Sequence, residues 1–190
     1  MTEYLLVLRF ALLNLFGAAA LAAAYVLGYV DLVIVADGTR LVYLITGVFL
    51  VGLVNAGRLV WRTSRELNSE RALAGSMSWH LLALRRLATE HERERQLAAE
   101  IAPVRNAANL LVVLGLIGTV LGFIIALGGV DPRTVSDITA IGPMVSALIR
   151  GMSTALYTTL VGAVLNVWLM LNYNMLSGGC VKLLNAINRS

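Results

Sequence analysis

Apolar residues fill four long stretches of the chain, and polar residues collect between them. The stretches run from Phe10 to Val30, Leu41 to Trp61, Ala107 to Val130, and Ile141 to about Leu176. A helix needs about 20 mostly apolar residues to cross a bilayer, so each stretch is a candidate span. The fourth exceeds what a core of roughly 30 Å requires at about 1.5 Å per residue, and is expected to project at one or both ends. The pattern predicts an all-α polytopic membrane protein. Residues 1–61 hold two transmembrane helices, 62–106 a short cytoplasmic helical segment, 107–176 a second transmembrane pair, and 177–190 a cytoplasmic tail.

The first stretch has some features of a secretory leader, because it ends in small residues. Glu3 makes a poor basic flank, and the apolar run is long. It is therefore read as a span.

Composition agrees with the pattern. Of 190 residues, 58% are hydrophobic and 14% charged, against about 25% charged in soluble domains. The mean hydropathy is +0.79. The net charge of +4 does not call for nucleic acid, since arginines flanking spans on the cytoplasmic side produce the same balance. Eight of them (Arg62, Arg65, Arg71, Arg85, Arg86, Arg93, Arg95 and Arg105) lie between the second and third spans, which sets that segment in the cytoplasm. Both termini then fall on the same side. The connections Asp31 to Arg40 and Asp131 to Ala140 fall outside, with all four aspartates, while all seven glutamates fall inside.

The cytoplasmic segment is rich in Leu, Ala, Glu and Arg, and pairs Glu90 with Arg93 and Glu92 with Arg95 at helical spacing. Gly75-Ser76 is the expected break between two helices. The run "TEHERERQ" reads as a solvated helix face. Leu67, Leu73, Met77, Leu81, Leu84 and Leu87 supply an apolar side for a hairpin or a bundle with neighbouring chains.

The spans lack ionisable groups. Their hydrocarbon portions hold no Asp, Glu, His or Lys, and Arg58 and Arg150 lie near span ends, where a long side chain can reach the interface. Intramembrane acids normally mark proton and cation carriers, so this chain cannot run a carboxylate relay alone. A single cysteine, Cys180, and two histidines, His80 and His91, leave no disulfide, thiolate metal site or metal cluster, and no cofactor is expected. No nucleophile–base pair suggests an enzyme.

What the spans offer is hydroxyls, small residues and the amide of Asn166. On an ideal helix the face of Thr119 also carries Val112, Gly115, Leu116, Gly122, Phe123 and Ala126. Gly118 and Gly122 form a small-residue pair that lets helices approach closely. The face of Thr159 carries Met152, Ala155, Gly162, Ala163, Asn166, Met170 and Tyr173, with Thr154 and Thr158 beside it. Spacing alone leaves two readings open, since threonines in membrane helices often bond only their own backbone.

The run "LGLIGTVLGFIIAL", followed by "IRGMSTALYTTLVGAVLNVWLMLNYNML", resembles the MotA/TolQ/ExbB proton-channel family. The matching pieces are the "GLIGTVLG" core, the small-residue and threonine run from Gly151 to Gly162, and Tyr173-Asn174, covering about residues 107–176. The resemblance implies a homopentamer in the bacterial inner membrane, with the third and fourth spans lining a pore. A dimer of a MotB-, TolR- or ExbD-like single-span protein threads that pore and supplies the intramembrane aspartate. On this reading the pore threonines are Thr119 and Thr159, with Thr158 and Asn166 also on the ion path. Gly115, Gly118, Gly122, Gly162 and Tyr173 form the partner and packing face. The family implies a proton-driven motor that turns ion flow into mechanical work.

The chain departs from the family pattern at Thr154, where one branch has glutamate, and at Val112 and Trp168, where prolines are expected. Asn166 replaces a small apolar residue. Four spans resemble the flagellar-stator arrangement, but the short cytoplasmic segment favours a small non-flagellar motor. The rival reading is a partner-independent channel or a structural membrane scaffold.

Overall fold

The computed structural model describes the backbone of residues 3–74, 79–130 and 138–189, and the side chains of residues 7–61, 99–130 and 139–178. The described residues form five helices: α1 (Glu3–Val26), α2 (Tyr29–Ala36), α3 (Leu41–Ala74), α4 (Trp79–Gly128) and α5 (Ile138–Arg189). Four are long and apolar enough to cross a membrane, over Val7–Val26, Leu41–Trp61, Ala99–Gly128 and Thr139–Gly178. The all-α, four-span reading holds.

The first stretch does not run unbroken to Val30. Gly28 adopts φ +77°, a left-handed conformation that glycine reaches without a Cβ clash. The chain breaks there and re-forms as the short helix α2, so the connection to the second span begins as a helix. Asp37 then starts α3. Its carboxylate accepts from the Thr39 amide at 3.1 Å, the Thr39 hydroxyl at 2.7 Å and the Val42 amide at 2.8 Å. The Val42 bond satisfies a donor that the first turn of α3 cannot satisfy itself, and the two Thr39 bonds hold the turn that leads into it.

The third and fourth spans belong to much longer helices. α4 has 50 residues and α5 has 52, roughly 75 Å each at about 1.5 Å per residue. α4 passes from the arginine-rich segment into the third span with no interruption at 106, and α5 continues past Leu176 to Arg189. Pro103 lies inside α4 and removes one backbone bond, close to the polar end of the span at Ala99. The expected break at Gly75-Ser76 lies outside the described residues, bracketed by the end of α3 and the start of α4. The leucine face from Leu67 to Leu87 also lies outside the described side chains.

The core forms where α3 meets α4 and α5, from Ile45, Phe49 and Ala56 with Ile101, Val104, Ala108, Leu111, Leu165, Leu169 and Leu176. Gly52 makes room for Leu169 and Ala107, and the rings of Phe49 and Trp168 meet at 5.0 Å between centroids. α4 and α5 share the most extensive interface in the chain, while α1 is held by fewer contacts.

Candidate functional site

The α4–α5 seam is built from missing side chains. Along α4 the buried positions at the seam include Leu111, Gly115, Gly118, Gly122 and Ala126; along α5 they include Gly151, Thr154, Ala155, Thr158 and Gly162. A Cβ on Gly118 would overlap the Thr158 side chain. One on Gly122 would strike the Gly151 carbonyl and the Ala155 amide at 2.6 Å, and one on Gly162 the Leu111 carbonyl at 2.7 Å. On Gly115 it would lie 3.3 Å from the Thr159 Cα. Small residues let backbones approach closely, and in lipid such van der Waals contact is a main driving force for helix association. The four glycines singled out in the sequence therefore close a hairpin within one chain.

The threonines divide by position. Thr158 is fully buried and donates to its own helix, at 2.9 Å to Thr154 and 3.1 Å to Ala155 carbonyl oxygens. Thr154 is equally buried. It donates to the Ala36 carbonyl at 2.7 Å, fastening the end of α2 to α5. Where one family branch places a glutamate, this chain thus has an inter-helix tether. Thr159 reaches across the seam and donates to the Gly115 carbonyl at 3.0 Å, yet remains exposed on its outer side. Thr119 is half-buried and donates to Leu116 of its own turn. Gly118 faces Thr158 across antiparallel helices, so Thr119 and Thr159, each one residue on, are offset by only about 3 Å in depth.

One edge of the hairpin is left open. It carries Val112, Leu116, Thr119 and Phe123 of α4 with Met152, Thr159, Ala163 and Asn166 of α5. Tyr173, farther along α5, is half-buried. α1 and α3 occupy the other side. Trp168 lies nine residues from Thr159, which is two and a half turns and hence opposite on the helix; it packs over Gly17 of α1 and against Phe49 of α3. Asn166 stays on the open edge, with its Oδ1 buried and without a hydrogen-bond partner.

The sequence reading passed over two intramembrane amides, Asn14 and Asn172. Asn172 is fully buried. Asn14 Nδ2 donates to Asn172 Oδ1 at 2.9 Å, and the Trp168 indole N–H donates to Asn14 Oδ1 at 3.1 Å. This cluster latches α1 onto the back of α5 and gives Trp168 a role the expected proline could not fill. The available signal was an asparagine inside the first apolar run, near its start, and another inside the fourth, near its end, since a polar group in lipid must find a partner.

Among the described residues, no group of three or more His, Cys, Asp or Glu is arranged to hold a metal. A family model for the MotA/TolQ/ExbB proton channel family matches residues 72–189. No curated protein and no solved structure gives a significant match to the chain.

Proposed function

The chain belongs to the MotA/TolQ/ExbB proton channel family, and on that premise we propose that it is the pore-forming subunit of a proton-driven membrane motor. Five copies form a ring in the bacterial inner membrane, with both termini cytoplasmic. The open edges of α4 and α5 face a central pore, and a dimer of a MotB-, TolR- or ExbD-like single-span protein occupies it. The partner supplies the intramembrane aspartate, because the only acid within the spans of this chain is Glu100, at the very end of the third. The short cytoplasmic segment, residues 62–106, leaves little surface to grip a rotor, so the mechanical output is carried by the partner.

The observation that carries this reading is the pair of hydroxyls, Thr119 and Thr159, at nearly one depth on an edge whose other named side chains are apolar apart from the Asn166 amide. Each is satisfied at rest by a backbone carbonyl, Leu116 or Gly115. A hydroxyl in that state still has lone pairs and accepts from a protonated carboxyl. When the carboxyl ionises, the hydroxyl rotates and donates to it instead. A charge at mid-membrane costs about 2.5–3.5 kcal/mol on insertion scales, and two charge-assisted hydrogen bonds offset much of that. Asn166, seven residues farther along the same edge, offers its amide to the partner helix or to water as the proton leaves. Thr158 contributes as packing beneath Gly118. The glycine-built hairpin keeps the wall rigid and thin while the central helices turn.

Co-expression with a single-span protein bearing an intramembrane aspartate tests the proposal. Native mass spectrometry should find five copies of this chain with two of the partner. A closed dimer or tetramer, or a ring that conducts protons with no partner bound, would contradict it.

A further inference from the structure

The open edge of the α4–α5 hairpin differs on the two sides of the hydroxyl pair. Toward the α4–α5 connection it carries Phe123 with Met152 and Val145, all exposed and all apolar. Toward the other end, cytoplasmic in the orientation proposed above, it carries amides. Asn109 of α4 is another amide that the sequence reading passed over. It lies seven residues before Leu116 and fourteen before Phe123, so the three share one line along the helix. All three are exposed.

Asn109 and Asn166 are level. Gly118 faces Thr158; from there Asn109 is nine residues along α4 and Asn166 eight along α5, toward the same end of the hairpin. The offset is one residue, about 1.5 Å. Both lie inside their spans, where a polar group must find a partner. Yet Asn166 Oδ1 is buried without one, and Asn109 makes no hydrogen bond among the described residues. Neither amide is spent on holding this chain together, unlike Asn14 and Asn172.

Their surroundings admit water. Arg105, four residues from Asn109 on the same edge, is exposed. A guanidinium near a span end keeps its hydration, so water stands about one turn, about 5.4 Å, from Asn109. Ala163, exposed between Thr159 and Asn166, leaves space beneath the hydroxyls. Water is held where two to four polar groups converge, and two amides supply two acceptor oxygens and two NH₂ donors.

We propose that Asn109 and Asn166 anchor a file of water beneath the hydroxyl pair, and that this water carries the proton from the partner's carboxyl to the cytoplasm. The inference rests on the pore reading above. The carboxyl O–H bond breaks, an O–H bond forms on the first water, and each water hands one proton to the next. The amides neither gain nor lose a proton, so Asn109 is a positioning residue. The apolar wall at Phe123, Met152 and Val145 keeps the file from continuing to the other side, which leaves access there to the partner.

Thiol labelling of the complete complex, with Cys180→Ser as background, tests this. A charged, membrane-impermeant methanethiosulfonate is added from the cytoplasmic side. Asn109→Cys should react at least about tenfold faster than Leu110→Cys, because thiolate forms in water and not in an apolar setting. Leu110 is also exposed but lies about 100° around the helix. Met152→Cys should stay unlabelled. Asn109→Leu should lower proton flux about tenfold with ring and partner stoichiometry unchanged, as expected for a lost hydrogen bond to a charged carrier. Asn109→Ser, which still holds water, should recover part of the flux. Labelling of Asn109→Cys no faster than Leu110→Cys would overturn the proposal, as would equally fast labelling of Met152→Cys or normal flux in Asn109→Leu. A disulfide between copies at Asn109→Cys, or loss of the ring in Asn109→Leu, would make the amide a subunit contact and overturn it too. Thr119→Val on the same background separates the two readings. A ring without a partner defeats the pore reading, whereas a complete complex that loses flux in Thr119→Val but leaves Asn109→Cys unlabelled defeats this one alone.

Discussion

The Thr159 hydroxyl donates across the α4–α5 seam to the carbonyl oxygen of Gly115, at 3.0 Å. The bond exists because Gly115 has no side chain to hold the helices apart: a Cβ there would sit 3.3 Å from the Thr159 Cα. Packing and chemistry therefore meet at one point. The glycine that lets the helices close also exposes the carbonyl on which the hydroxyl rests.

The seam glycines should not be equally sensitive. A methyl on Gly118 would overlap the Thr158 Cβ at 2.5 Å and one on Gly122 the backbone of Gly151 and Ala155 at 2.6 Å, whereas one on Gly115 meets nothing nearer than 3.3 Å. Neither a Cβ nor backbone can rotate away, and overpacking costs typically about 1–3 kcal/mol. Gly118→Ala and Gly122→Ala should therefore each destabilise more than Gly115→Ala, by about 1 kcal/mol, and Gly118 or Gly122 changed to Leu should prevent ring formation while leaving membrane insertion intact. Thermal unfolding of the purified complexes measures the difference; equal losses would show that the seam relaxes.

The adjacent threonines should separate by function. Thr158 is buried and spends its hydroxyl on its own helix, while Thr159 lies at the open edge. Thr158→Val is expected to leave proton flux within about twofold of the unaltered complex, since an internal hydroxyl bond is worth only about 0.5–1.5 kcal/mol to stability. A large loss of flux at normal assembly would instead bring Thr158 onto the ion path.

The asparagine latch makes a coupling prediction. Asn14→Leu leaves the Asn172 Oδ1 and the Trp168 N–H without their partner, whereas Asn172→Leu removes one acceptor of Asn14 Nδ2, which keeps the Phe10 carbonyl. Hydrogen bonds of this kind in membranes average about 0.6 kcal/mol, with a maximum of about 1.7. The double variant should be less unstable than the sum of the singles by about 1 kcal/mol. Strict additivity would mean that the amides do not depend on each other.

The turn after α2 should respond to Asp37. Its carboxylate accepts two hydrogen bonds from Thr39 in the turn and one from the first-turn Val42 amide of α3, and loss of a bond of that last kind costs about 0.5–2 kcal/mol. Asp37→Ala should fall in that range, and Asp37→Asn should recover part of the loss. Hydrogen exchange at the Thr39 and Val42 amides reads the effect locally; unchanged protection would contradict it.

Much of this was legible in the sequence, for definite reasons. Span positions follow from the length of the apolar runs, so Leu41 to Trp61 came out with the bounds later found for its span. The "GLIGTVLG" core marked the seam because glycines concentrated at helical spacing have few other uses in lipid. Three things were not legible. The turn at Gly28 depends on one backbone conformation that an apolar run does not advertise. Whether Gly118 packs against its own chain or a neighbour depends on the pairing of α4 with α5, which periodicity does not encode. The partner of Asn14 lies 158 residues away in the chain, so only the folded arrangement reveals that two isolated amides and an indole form one cluster.

The account stands or falls on Thr119 and Thr159 together. The decisive measurement is proton flux through the complex reconstituted with its single-span partner, taken on Thr119→Val and Thr159→Val with ring and partner stoichiometry recorded on the same preparations. Valine keeps the shape and removes the oxygen. The account predicts normal assembly with flux reduced at least tenfold, the factor that about 1.4 kcal/mol of lost stabilisation of the charged state produces. Unaltered flux in both variants would contradict it and make these threonines packing residues.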